Sequence, residues 1–248
     1  MAEIRIGLSG YSYRPWQVVG RFYPEEVKPT EFLSYYARRY NAVEMDGPWY
    51  RMPQETRIQA WMAHTPAGFL FSPKAHRQIT HFRRLKPEAI ESVRVMVERL
   101  ASLAAAGRLG PILLQLPPNL PRDDGRLEAF LSGLPEGLRW AMEFRHPSWN
   151  VAEVEAVLRR HRIAWVAAET DEVPAERRDT ADFRYARLRR SAYDDVRLRE
   201  WAEWVQEAVE TGQDCFVFLK HEDEGSPWIW ADRLLELTTS VREEATGL

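Results

Sequence analysis

The sequence predicts an α/β protein in which one domain closes as a single (β/α)8 barrel of the TIM type. Three observations support this fold class. Short apolar runs alternate with longer amphipathic segments from end to end, which is the order of a parallel sheet. Several runs are almost continuously apolar, as expected of strands covered on both faces. The 248 residues match the ~250 that such a barrel needs, without a linker that would separate two domains.

The candidate strands are short runs rich in apolar and β-branched residues. In chain order they are Ile4–Leu8, Ala42–Met45, Gly68–Ser72, Pro111–Leu116, Arg139–Phe144, Ala164–Ala168, Phe183–Leu188 and Asp214–Leu219. The segment Pro117–Arg126 follows the fourth strand and is rich in Pro, Asp and Asn, so we expect a long βα loop there.

Segments with helical periodicity separate these runs. Thr30–Tyr40 follows a proline, a residue favoured in a first helical turn. Pro87–Ala106 repeats apolar side chains at steps of three and four and ends at a glycine. Val151–His161, Val196–Thr211 and Ala231–Val241 have the same kind of pattern. This alternation predicts parallel strands joined by helical crossovers.

The composition narrows the class of protein. Hydrophobic residues make up 45% and charged residues 29%, and no apolar run reaches the ~18 residues that span a bilayer. The net charge of −3 gives no general attraction to nucleic acid. Cys215 is the only cysteine and lies in an apolar run, so we expect an inert core thiol. Without a visible secretory signal, we expect a cytoplasmic protein.

Several motifs occur in a fixed order along the chain. They are Gly7–Tyr13, Phe22–Pro24, Val43–Met45, Phe71–Lys74, Ile79–His81, Leu114–Pro118 and, as the most specific, Glu143–Trp149. In this order they resemble the YecE-like family, domain-of-unknown-function family 72, from Ile4 to about Leu235. The resemblance implies a TIM-type barrel. It implies no reaction, since the family has no agreed activity.

Three strand ends depart from the usual pattern of that family. Asp46–Tyr50 stands where the family shows Asn-Ser-Thr-Phe-Tyr, and Leu188–Arg190 stands where it shows Leu-His-Gly. Lys220–Asp223 stands where it shows Asn-Asn-Asp. If the family binds a ligand at these positions, we expect this chain to bind a different or more anionic version of it.

In a TIM-type barrel the functional site lies at the carboxyl ends of the strands, and nearly every predicted strand end carries a polar or charged residue. The candidate catalytic residues are Glu44, Glu143 and His146. The two carboxylates can act as general acid and general base, and an unperturbed histidine titrates near neutrality. The candidate ligand-binding residues are Tyr11, Trp16, Lys74, Gln115, Arg145, Trp149, Arg187, Arg189 and Lys220. A closed network of ion pairs is the alternative, structural interpretation.

Cations interleaved with aromatic rings favour an anionic ligand that contains a ring. Arginine makes bidentate contacts with phosphate or carboxylate, and aromatic rings stack on bases or sugars. We therefore expect an enzyme acting on a nucleotide, nucleic acid, sugar phosphate or other anionic substrate, by acid–base or metal-assisted chemistry. A non-catalytic nucleic-acid-binding barrel is one alternative. A glycoside-processing enzyme with Glu44 and Glu143 as its carboxylate pair is another.

Residue spacing assigns no metal ligand. His76 and His81 are five residues apart, and His221–Asp223 is a compact trio of donors, but neither has the spacing typical of zinc sites. Solvated loop charge is the simpler interpretation of the trio. By analogy with other barrels of this type, a divalent ion held by the candidate catalytic residues is a further hypothesis for a cofactor.

Overall fold

The computed structural model describes residues 2–17, 21–220 and 226–246, with side chains up to residue 239. The chain forms two compact units. The first comprises Met1–Val43, Ala167–Glu176 and Asp182–Leu248, and the second comprises Glu44–Val166 and Arg177–Ala181. The single domain expected from the sequence remains a prediction.

The strands of the described chain are β1 (Ile4–Leu8), β2 (Ala42–Met45), β3 (Leu70–Pro73), β4 (Ile112–Gln115), β5 (Trp140–Glu143), β6 (Ala164–Glu169), β7 (Phe183–Leu188) and β8 (Asp214–Leu219). Its α-helices are α1 (Phe32–Tyr36), α2 (Gly47–Tyr50), α3 (Glu55–Ala63), α4 (Ala89–Arg99), α5 (Ala101–Ala105), α6 (Asp124–Ser132), α7 (Ala152–His161), α8 (Asp195–Glu210) and α9 (Pro227–Thr246). Every predicted strand is confirmed; β1, β2, β7 and β8 have the predicted bounds, and the others differ by one or two residues at an end.

Two connections differ from prediction. The helix predicted over Pro87–Ala106 is two helices, α4 and α5, which meet at Leu100, where ψ rises to 2°. The loop predicted over Pro117–Arg126 ends in α6. Asp123 begins that helix, since its carboxylate accepts a hydrogen bond from the backbone N–H of Arg126 at 2.9 Å.

The strands form a six-stranded sheet in the order β1-β8-β7-β6-β5-β4 and a two-stranded sheet of β2 and β3. The registered pairs of the larger sheet are parallel. Strand β6 belongs to both units: Ala164 and Trp165 pair with β5 in the second unit, whereas Ala167–Glu169 lie in the first. The α/β class is thus confirmed, and the closure of these strands into a full eight-stranded barrel stays a prediction.

Backbone hydrogen bonds link β3 to both of its neighbours in the second unit. The N–H of Lys74 donates to the carbonyl oxygen of Met45 at the end of β2, at 3.0 Å. The N–H of Ala75 donates to the carbonyl oxygen of Leu113 in β4, at 2.8 Å. The carboxyl ends of β2, β3, β4 and β5 therefore lie side by side in this unit.

In the first unit, Tyr36 of α1 links β1 to the start of β2. Its buried hydroxyl accepts a hydrogen bond from the N–H of Leu8 at 2.7 Å and donates to the carbonyl oxygen of Ala42 at 2.9 Å. The two strands approach closely here, since a Cβ at Gly7 would lie 2.1 Å from the oxygen of Ala42. A glycine is therefore required at this position.

Aromatic side chains of the strands fill the core of each unit. The ring of Tyr185 in β7 lies 5.4 Å from that of Phe218 in β8, and Trp61 of α3 stacks on Phe71 of β3 at 5.8 Å. Cys215 is buried, as predicted. Within the described ranges, no helix has both the length and the apolar character needed to cross a membrane.

Candidate functional site

One edge of the second unit gathers polar side chains from consecutive strands. We use the term candidate site for the side chains of Asp46, Trp49, Lys74, His81, Gln115, Glu143 and Arg145. The strands explain part of this grouping, because the register of β4 and β5 pairs Gln115 directly with Glu143. Arg145 lies two residues beyond the end of β5, and its side chain returns to contact Glu143.

Glu143 is the buried anchor of the candidate site. Its carboxylate is 2% exposed and accepts hydrogen bonds from the side-chain amide of Gln115, with both oxygens 2.9 Å from Nε2. One oxygen also accepts a hydrogen bond from Nε of Arg145 at 2.9 Å. A buried charge requires such partners, because leaving it unpaired costs several kcal/mol.

Arg145 uses only part of its guanidinium group in this contact. Its side chain is 30% exposed, and Nε is the nitrogen that contacts Glu143. In the described part of the chain, the two terminal nitrogens have no hydrogen-bond partner. A fixed guanidinium whose two terminal nitrogens are unoccupied is suited to a phosphate or carboxylate.

Lys74 lies between an acid and an aromatic ring. Its ammonium nitrogen is 3.9 Å from Oδ1 of Asp46 and 4.9 Å from the centre of the Trp49 ring. The lysine side chain is only 11% exposed. Because water is largely removed from this ammonium group, its interactions with a ring or an anion are stronger than at the surface.

The sequence analysis did not assign His81 to the site. It lies in a short π-helix, Gln78–Phe82, and its ring is edge-on to that of Trp49 at 5.1 Å. Its Nδ1 shares a hydrogen bond with the hydroxyl of the buried Thr80 at 2.8 Å. This contact restrains the ring and occupies Nδ1.

The environment of His81 favours the neutral imidazole. Burial lowers the pKa of His81 below its usual 6.5, and the positive charges of Lys74, Arg145 and Arg84 lower it further. A histidine that is neutral near pH 7 can accept a proton. The same three cations are the groups that would attract an anion to its side.

A left-handed turn ends the segment that carries His81. Arg84 and Leu85 have φ values of 50° and 60°, a region that residues other than glycine rarely adopt. The N–H of Leu85 donates to the carbonyl oxygen of Ile79 at 3.2 Å. The guanidinium of Arg84 donates to the carbonyl oxygen of Asn119. Such conformations cost of order 1–3 kcal/mol each, and they are often found at functional sites.

The remaining residues predicted in the second unit lie deeper or make local contacts. Glu44 is completely buried in β2, two residues before Asp46 in the chain. Nδ1 of His146 lies 2.8 Å from the Ser148 hydroxyl and accepts the N–H of the same residue at 3.3 Å. The catalytic roles of Glu44 and His146 remain predictions, and we do not include either residue in the candidate site.

Trp149 and Trp16, both predicted to bind a ligand, are buried in packing contacts. The indole of Trp149 donates to the carbonyl oxygen of Leu120 at 2.8 Å and stacks on Phe144 at 4.9 Å. The ring of Trp16 is edge-on to Trp228 at 5.7 Å. Ligand binding by these two tryptophans stays a prediction.

The predicted residues of the first unit lie at its own strand ends. Arg187 is buried in β7. The N–H of Lys220 donates to the carbonyl oxygen of Leu188 at 2.9 Å, and the N–H of Arg189 donates to the carbonyl oxygen of Glu169 at 3.0 Å. The remaining predicted residue, Tyr11, has its ring 6.5 Å from that of Tyr36.

Glu169, at the end of β6, is neutralised by its own unit. The carboxylate is completely buried and accepts hydrogen bonds from Nε of Arg197 and Nε1 of Trp201, both at 2.8 Å. Arg190 lies 3.8 Å away. This cluster matches the structural interpretation of strand-end charges, because it joins β6 to α8 through a closed ion network.

In the ranges the structure describes, no three His, Cys, Asp or Glu side chains are grouped so that they could hold a metal ion. His76 is engaged locally, since its Nδ1 accepts the N–H of Gln78 at 3.2 Å. The trio His221–Asp223 lies outside the described residues.

Comparisons with known proteins agree with the resemblance seen in the sequence. Residues 5–246 match the family described as "Protein of unknown function DUF72". The UPF0759 protein YecE of Escherichia coli K12 is 31% identical over 159 residues, which cover 63% of this chain and 54% of YecE. The chain thus spans about half the length of this relative.

Solved structures of the same family have a similar fold. A DUF72 family protein of Thermotoga maritima MSB8 superposes with a TM-score of 0.83 at 25% identity, over 96% of this chain and 99% of that one. A DUF72 family protein of Enterococcus faecalis V583 gives 0.78 at 18% identity, over 96% and 98% of the two chains. At 18% identity the likeness extends to the fold alone.

Proposed function

The chain belongs to the DUF72 family of proteins of unknown function, and we propose that it is an enzyme that acts on a phosphate-bearing or otherwise anionic substrate by acid–base chemistry at the candidate site. One observation carries the proposal. The imidazole of His81 is edge-on to the Trp49 ring at 5.1 Å, and the ammonium nitrogen of Lys74 lies 4.9 Å from the centre of that same ring. Binding of charge and transfer of a proton are thereby combined at one edge of the sheet.

The substrate anion is bound by Arg145 and Lys74 in this proposal. Glu143 holds Arg145 through Nε, so the guanidinium is oriented before the ligand arrives and loses little freedom on binding. Lys74 supplies a second, partly desolvated charge. Glu143 is thus a positioning residue, and Gln115 fixes it in turn.

Proton transfer is assigned to Nε2 of His81. Burial and the neighbouring cations disfavour the imidazolium ion. A bound anion compensates these positive charges, so its arrival raises the pKa of His81 and makes proton transfer to Nε2 more favourable. The base therefore becomes stronger when the substrate is present.

The first experiment is a thermal-shift panel with nucleotides, sugar phosphates, short oligonucleotides and divalent ions, singly and in pairs. A ligand that binds only the folded chain raises its melting temperature. Incubation with each stabilising ligand, followed by mass spectrometry of the products, then identifies the reaction. His81→Asn should abolish turnover while the ligand still stabilises the protein.

His64→Asn is the matched control, because His64 is an exposed histidine at the end of α3. Its turnover should equal that of the wild type. If no anion shifts the melting temperature, or if His81→Asn turns the ligand over at the wild-type rate, the proposal is wrong.

The (β/α)8 barrel remains our proposal for the fold. In the second unit, contacts follow the chain order from β2 to β6, and in the first unit they run from β6 through β7 and β8 to β1. The hydroxyl of Tyr36 adds a link from β1 to the start of β2. An eight-stranded barrel requires this cyclic order of neighbours.

A further inference from the structure

The segment Lys74–Lys86 has an unusual charge pattern. Its 13 residues include five lysines or arginines and two histidines, but no aspartate or glutamate. The chain as a whole has a net charge of −3, so this is a local concentration of positive charge. The segment starts at the end of β3 and includes His81, which places this charge next to the candidate site.

Most of this charge is not compensated by acidic side chains. In the ranges the structure describes, Lys74 pairs with an aspartate, and the other four cations have no carboxylate partner. Arg83 and Arg84 donate to backbone carbonyl oxygens, and Arg77 lies over the ring of Phe82 at 5.4 Å. Uncompensated charge of this kind attracts a polyanion.

Two exposed aromatic rings adjoin the same segment. Tyr50 is 62% exposed and Phe82 is 60% exposed. Tyr50 is edge-on to Trp49 at 4.6 Å, and Trp49 is edge-on to His81, the residue that precedes Phe82. Exposed rings beside cations form a platform on which unpaired bases stack while their phosphates contact the charges.

A cavity adjoins α2, the short helix that carries Tyr50. It has a volume of about 230 Å³ and is lined by Arg51 and Arg57, with Trp61 and two prolines supplying apolar walls. Neither arginine has an ion-pair partner within the part of the chain that is described. Two further cations therefore lie beside the helix that carries Tyr50.

We infer that the anionic substrate is carried in a single-stranded nucleic acid, which the segment Lys74–Lys86 and the rings of Tyr50 and Phe82 hold across the candidate site. This inference rests on the proposed function and narrows its substrate class. Binding of a small anion would require only the cations. The exposed rings of Tyr50 and Phe82 are accounted for by a ligand whose bases stack on them. A duplex hides the faces of its bases, so the platform selects an unpaired strand.

The test measures the fluorescence anisotropy of a labelled single strand of about a dozen nucleotides and of the matching duplex, with the full chain. We expect the single strand to bind more tightly than the duplex, with an affinity that falls as salt rises. Arg83→Gln combined with Lys86→Gln should weaken binding about tenfold and reduce the salt slope by ~0.7 for each lost phosphate contact. Phe82→Ala should weaken binding without changing that slope.

Matched controls separate this surface from general charge and apolar exposure. Arg94→Gln combined with Arg99→Gln removes two exposed charges from α4, and Ile229→Ala removes an exposed apolar side chain from α9. Both should leave binding unchanged. Equal effects of test and control variants, or equal binding of strand and duplex, would overturn the inference.

Turnover distinguishes the two proposals. If a small anion is converted in a reaction that requires His81, but the strand does not bind, the inference is wrong and the proposed function stands. If the strand binds through the segment and no ligand is converted, the proposed function is wrong, and so is the role of the strand as a substrate.

Discussion

Glu143 contacts Arg145 through Nε alone, with a carboxylate oxygen 2.9 Å from that nitrogen. The carboxylate of Glu143 is buried and the guanidinium of Arg145 is partly exposed, so a fixed carboxylate orients a cation that faces solvent. The arrangement explains how a buried negative charge assists the binding of an anion. It orients the cation and leaves the terminal nitrogens for the ligand.

Glu143→Gln tests this support. The amide keeps the size of the side chain but loses the charge that holds Arg145, so affinity for the anion should fall about tenfold, or ~1.4 kcal/mol. Isothermal titration calorimetry with the ligand identified by thermal shift measures the change, and turnover should fall with it. Glu153→Gln, at an exposed position of α7, should bind as the wild type does. Unchanged affinity in Glu143→Gln would contradict the positioning role.

The pKa of His81 gives a prediction for the pH dependence of stability. The folded chain disfavours the imidazolium ion, whereas the unfolded chain binds a proton at the usual pKa of 6.5. The unfolded state therefore binds more protons below about pH 6.5, and the free energy of unfolding falls as the pH drops through that region. Urea denaturation at several pH values should show a smaller loss in His81→Asn. His76 contributes in the same direction, because burial also lowers its pKa, so part of the loss should remain.

The pKa of His81 can be measured by NMR titration of the histidine ring protons. In Arg84→Asn one of the three nearby positive charges is removed, so the pKa of His81 should rise toward 6.5. Asparagine tolerates the left-handed conformation of this position, which limits the change to the charge. Addition of phosphate to the wild type should raise the same pKa. A titration unaffected by both changes would argue against an anion site beside His81.

The sequence predicts the strands better than the site. Continuous apolar runs mark the strands, whereas α3 has only Ile58 and Trp61 buried and so lacks a visible periodicity. The sequence predicts His146 as a site residue because it follows β5, but its Nδ1 contacts Ser148, whereas Arg145 contacts Glu143.

The signal for His81 was present in the sequence as a basic run without acids. Its position in a π-helix, however, depends on tertiary contacts that periodicity does not reveal. The same holds for the left-handed turn at Arg84 and Leu85, since neither residue type favours that conformation.

Tyr36→Phe tests the link between β1 and β2. The hydroxyl satisfies the N–H of Leu8 and the carbonyl oxygen of Ala42, and all three groups are buried. Its removal leaves a buried donor and acceptor without this partner, which should lower the free energy of unfolding by ~1–3 kcal/mol. Urea denaturation measures the loss. Tyr50→Phe removes an exposed hydroxyl and should change stability by less than ~0.5 kcal/mol; equal losses in both variants would refute the link.

Glu169 and Glu200 both contact Arg197, but only Glu169 is buried. Their substitution should therefore change the free energy of unfolding by very different amounts. Glu169→Gln removes the charge of a fully buried acid and leaves Arg197 and Trp201 around an uncharged group, so the free energy of unfolding should fall by ~3–5 kcal/mol. Glu200→Gln removes a partner that is 46% exposed, and water replaces the lost contact, so the loss should stay below ~1 kcal/mol. Chemical denaturation of both variants gives the comparison. The cluster lies in the first unit and is closed by its own residues, so each variant that folds should still bind the anion at the candidate site. A loss of binding in Glu200→Gln would instead show that Glu169 and its partners belong to the functional machinery.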